Sequence, residues 1–67
     1  MTEKYFVYRI DLPGNYFIVD GNLEEAVAKQ LVHTYEQKNH HQHYDSAKQK
    51  PDKDYIPGEP LRKEDIP

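Results

Sequence analysis

Leu12-Pro13-Gly14-Asn15 stands between two short runs of aromatic and β-branched residues, and that arrangement commits the start of the chain to a β-hairpin. Residues 4–11 (KYFVYRID) and 16–20 (YFIVD) have the composition of strands. Proline presets φ at the first central turn position, and glycine tolerates positive φ at the second. A two-residue loop pairs Leu12 with Asn15, Ile10 with Phe17 and Tyr8 with Val19, and a four-residue loop keeps the same face assignment. One face of the hairpin then carries Phe6, Tyr8, Ile10, Leu12, Phe17 and Val19. The other carries Tyr5, Val7, Arg9, Asp11, Tyr16, Ile18 and Asp20.

Asp20-Gly21-Asn22 ends the second strand. Asn22 suits a helix N-cap, with Glu25 three residues on as a capping box asks. Glu24 and Glu25 favour the positive end of the helix dipole. Leu23, Val27, Leu31 and Tyr35 recur every four residues, with Ala28 and Thr34 beside them and Val32 widening the apolar arc, which predicts an amphipathic helix from about Leu23 to His40. Its apolar stripe is expected to cover the first hairpin face, with Val27 and Leu31 on Phe6, Ile10 and Phe17.

The fold class expected is α+β: a small β-hairpin followed by one amphipathic helix (β-β-α). The 67 residues allow one domain. Residues 1–44 hold nearly all the large apolar side chains. Residues 45–67 hold Pro51, Pro57, Pro60 and Pro67 and only Tyr55, Ile56, Leu61 and Ile66 as sizeable apolar groups. The body is therefore placed at 1–44 and a disordered, Pro-rich charged tail at 45–67. A two-stranded sheet is marginal unless covered. Tyr5, Val7, Tyr16 and Ile18 lie on the second face, and both strand edges are unpaired, so the fold is expected to be completed by homodimerisation.

Several kinds of chemistry are excluded or disfavoured. With no cysteine, there is no disulfide, thiolate metal site or cysteine nucleophile. No apolar run is long enough to span a bilayer, and the first residues lack the pattern of a secretory leader, so the expected location is cytoplasmic. His33, Glu36 and His40 share one helical face, and His41 and His43 follow. Imidazoles and a carboxylate at that spacing could hold zinc or nickel, which gives a His-dependent metal-binding module as a second alternative. A solvated helix end accounts for them more simply, and no metal or cofactor is expected. A short body offers little room for a pocket of the usual ~300 Å³ or more, so no enzymatic activity is expected. Tyr5, Tyr8, Tyr16 and Phe17 could stack bases, yet a net charge of −3 supplies no basic groove, and direct nucleic-acid binding is not expected.

What remains is a surface for another protein. The expected function is that of a small acidic interaction module, an inhibitor or regulator of phage or mobile-element type. Its target would be a host or partner protein with a basic surface, contacted in the manner of a DNA mimic in one version. Asp20, Glu24 and Glu25 would meet the target's cations, with Tyr5 and Tyr16 as anchors. Tyr55, Ile56 and Leu61 form an aromatic-aliphatic cluster in the tail that could dock on a partner. Asp11-Leu12-Pro13-Gly14, then eight residues, then Leu23-Glu24-Glu25-Ala26, resembles the strand–turn–strand–helix segment of HicB-type antitoxins. The resemblance covers about sixteen residues and implies, as an alternative, an antitoxin-like or nucleic-acid-associated regulator. That family also places a strand before this unit and a DNA-binding domain after it, and neither is visible in the sequence.

Overall fold

A computed structural model describes residues 3–12, 14–38 and 43–66. The chain is α+β, with a four-stranded antiparallel sheet and one helix. The strands are β1 (Tyr5–Ile10), β2 (Tyr16–Leu23), β3 (His43–Lys48) and β4 (Pro60–Leu61), in the order β3-β1-β2-β4. Helix α1 (Glu25–Lys38) joins β2 to β3, and a single 3₁₀ turn (Lys63–Asp65) follows β4.

The hairpin is present, but its register is displaced by one residue from the one expected. Ile10 lies opposite Tyr16, Arg9 opposite Phe17 and Tyr8 opposite Ile18. The turn chemistry explains the shift. Asp11 N–H donates to the Asn15 carbonyl at 2.9 Å, and Gly14 N–H donates to the Asp11 carbonyl at 2.5 Å. An odd number of residues, 12–14, therefore lies inside the closing pair. Gly14 at φ 106° takes the left-handed position that such a loop requires. A one-residue slip turns the β2 side chains from Tyr16 to Ile18 to the opposite face, and an irregularity between Ile18 and Asp20 restores the expected Val7–Asp20 pairing. Tyr16 and Ile18 thus join Phe6, Tyr8 and Ile10, while Phe17 sits beside Arg9 on the other side.

The other end of β2 also departs from expectation. The pairing jumps between Val7–Asp20 and Tyr5–Leu23, so β2 bulges. Asn22 has φ 57° and serves this bulge instead of capping the helix. Helical hydrogen bonding opens at the Glu24 carbonyl, which accepts from Ala28 N–H at 2.9 Å.

Both faces of the sheet are covered within the chain. Phe6, Tyr8 and Ile18 form a core with Tyr55 and Leu61. The Tyr55 ring stacks on Phe6 with centroids 4.3 Å apart, and Tyr55 is only 3% exposed. The expected tail is therefore corrected: residues 43–48 are an edge strand on β1, and residues 55–61 cap the core. A few large side chains suffice because β4 pairs with β2, at Leu61–Tyr16 and Pro60–Phe17, and carries Leu61 onto a sheet face that is already apolar. Composition averaged over the segment does not register this.

The helix lies on the second face, not the first, and is rotated from the expected stripe. Ala28 is fully buried, as is Val7 of β1, whereas Val27 is 42% exposed. Leu31, Val32 and Tyr35 are half-buried, so the working stripe is Ala28, Leu31, Val32 and Tyr35. Val27 and Leu31 thus do not centre a core on Phe6, Ile10 and Phe17. Tyr35 instead stacks on Tyr44 of β3, centroids 5.2 Å apart. The apolar face that motivated dimerisation is no longer open: Val7 and Ile18 are buried, and Tyr5 and Tyr16 half-buried.

Candidate partner-binding surfaces

The residues expected to meet a partner fall into two groups. Asp20, Glu24, Glu25 and Tyr5 come together where β2 passes into α1. The half-buried Asp20 carboxylate accepts Gly21 N–H at 2.9 Å and so holds the turn. Gly21 is needed there, since a Cβ would stand 2.5 Å from the Tyr55 carbonyl oxygen. Glu24 and Glu25 are exposed and form no ion pair among the described residues. The Tyr5 hydroxyl hydrogen-bonds to Glu25; this bond, with desolvation and the nearby Glu25 and Glu3 charges, holds the Tyr5 phenol above its usual pKa.

The second group is divided. Tyr55 and Leu61 are buried and belong to the core, so they present nothing to a partner, while Ile56 between them is 55% exposed. Tyr16 packs beside Tyr8, with centroids 5.8 Å apart. The Tyr55 hydroxyl donates to the Asp65 carbonyl at 3.0 Å and accepts Lys50 N–H at 3.2 Å. Lys53 Nζ meets the Asp65 carboxylate at 2.5 Å. These bonds clasp the C-terminal segment to itself over the first sheet face.

An open cleft of about 570 Å³ lies beside the acidic turn. Lys4, Lys48, Lys50 and Lys53 line it, with Glu3 and Asp54. Three of these lysines are already engaged: Lys48 with Glu3 at 2.6 Å, Lys53 with Asp65, and Lys50 with the Glu64 carbonyl.

A second cleft, of about 340 Å³, opens on the helix side at the far end of the sheet. The register places Tyr44, Arg9 and Phe17 side by side across β3, β1 and β2. The Arg9 guanidinium lies over the Phe17 ring, 5.1 Å from its centroid. This row was not legible in the sequence, because the expected register put Arg9 and Phe17 on opposite faces.

Among the described residues, no histidine lines either cleft. His33 is exposed and hydrogen-bonds with Gln37 at 3.1 Å. His40 and His41 lie outside the described residues, and among the described residues no group of three or more potential ligands comes together for a metal. No helix among the described residues is long and apolar enough to cross a membrane. No family model, curated protein or solved structure matches the chain. The likeness to the antitoxin segment rests on its sixteen residues alone.

Proposed function

We propose that the protein is a non-enzymatic interaction module, a small regulator or inhibitor that occludes a basic surface on a partner protein. The observation that carries this reading is the exposed Glu24–Glu25 pair at the helix start, whose charges no described cation neutralises. Tyr5 stands against Glu25 and supplies an aromatic anchor beside the charge. The lysine-lined cleft next to this turn makes the surface two-signed. That favours a limited contact with lysine or arginine over imitation of an extended phosphate array.

The test replaces Glu24 and Glu25 together by Gln, which keeps side-chain shape and helix propensity. Association with the partner, captured and identified by mass spectrometry, is followed at low and at physiological salt. Charges at the edge of an interface act mainly on association, so the double variant should associate several-fold more slowly at low salt, with the difference shrinking as salt rises. Equal association rates at both ionic strengths would remove the electrostatic reading.

A second copy of the chain is a further proposed partner. The edge of β3 away from β1 carries no strand among the described residues. Ser46 N–H is met there by the neighbouring Asp45 carboxylate at 2.8 Å, which partly guards that edge.

A further inference from the structure

We infer that the cleft at the Tyr44–Arg9–Phe17 row is a binding site for a single carboxylate carried on a flat apolar body. Its floor is that row together with Val19. Tyr35 of the helix, stacked on Tyr44, forms one wall. The opposite wall is the turn at Gly58, which is tied to the edge of β2 by Gly58 N–H donating to the Ile18 carbonyl at 2.8 Å and Ile18 N–H donating to the Glu59 carbonyl at 3.0 Å. Helix α1 packs on β1 and β3 and leaves Phe17 and Val19 beside it open to this space.

Charge selects the ligand. Among the described residues, Arg9 is the only ionised group lining the cleft, and it makes no ion pair there. Arg9 Cζ lies over the Phe17 ring, a cation–π contact that holds the side chain at the floor of the cleft, and a guanidinium fork matches a planar two-oxygen acceptor. One arginine matches one carboxylate. A phosphate dianion would need more cationic donors than the single guanidinium offers. The aromatic walls suit a ring or branched aliphatic group attached to the carboxylate. At ~30 Å³ per water-sized group, the space holds roughly eleven of them. The ligand is thus a small aryl or alkyl acid or the last residue of a peptide. This inference is independent of the Glu24–Glu25 contact, which lies at the opposite end of the sheet.

The experiment is a ¹H–¹⁵N NMR titration of the full chain with phenylpropionate and with its neutral amide. A parallel pair of arms uses an N-acetylated dipeptide ending in phenylalanine, as the free acid and as the amide. A ligand this small is expected to saturate at low-millimolar concentration, shifting the amide signals of Arg9, Phe17, Tyr44 and Gly58. Loss of the charged hydrogen bonds should weaken binding by about tenfold or more, both for the amides and for Arg9→Gln with the acids. Tighter binding of the dipeptide acid identifies a chain terminus as the natural ligand; tighter binding of phenylpropionate identifies a free acid. Equal binding of acid and amide, shifts confined to other residues, or no shifts up to about 10 mM would each overturn the inference. If Arg9→Gln fails to fold, acid against amide on the unaltered protein still decides.

Discussion

Asp65 shows how much one side chain holds. It is buried, its carboxylate meets Lys53 Nζ at 2.5 Å, and its own carbonyl accepts the Tyr55 hydroxyl. The hydrogen bond from Lys53 does most to hold its carboxyl below the ordinary 3.8, and the Arg62 N–H and the Lys53 and Lys50 charges act the same way, against a smaller opposing effect of burial. A carboxyl whose folded pKa is depressed contributes stability above its unfolded value. That stability is lost as pH falls through the folded value. Asp65→Asn should therefore unfold at lower denaturant than the parent at neutral pH. The gap should close in acid, below 3.8. Urea unfolding across that range checks it; a gap that stays constant with pH would mean that the ion pair contributes nothing.

At the scale of elements, the helix and hairpin formed where the sequence placed them, but each presents a different face. For the hairpin the cause is one residue of turn length. With Gly14 in the left-handed position, the loop closes on Asp11 and Asn15, and β2 is inverted relative to β1. Helix α1 packs on β1, where Val7 is fully buried, and on β3, and its own fully buried residue is the small Ala28. Enlarging it should be costly: Ala28→Leu is expected to destabilise by ~1–3 kcal/mol through overpacking. Val27→Ala, at an exposed position, should change stability by less than about 0.5 kcal/mol. Thermal unfolding of both variants is the check, and a larger loss for Val27→Ala would restore the stripe centred on Val27.

At the scale of the whole molecule, the C-terminal segment is part of the domain. Phe6 and Ile18 have Tyr55 and Leu61 as their cover, and Gly21 lets the Tyr55 backbone approach β2 closely. A domain of this size has little stability in reserve. Removing residues 51–67 should therefore abolish cooperative unfolding and expose the first face. Circular dichroism melts and amide exchange would show it. A truncated chain that melts as sharply as the parent would mean that β1, β2, α1 and β3 suffice.

Two kinds of information are separated in this chain. Local patterns determined the hairpin, its turn, the helix and the α+β class, because turn chemistry and period-2 or period-3.6 spacing act within a few residues. The exposed Glu24 and Glu25 were legible for the same reason, since a helix start selects carboxylates. Register, helix rotation and the docking of Tyr55 and Leu61 were decided by the tertiary structure. A loop longer or shorter by one residue inverts a strand at almost no local cost, so only packing across the sheet distinguishes the alternatives. The same inversion brought Tyr44, Arg9 and Phe17 into one row, from three strands whose neighbours along the chain say nothing of one another.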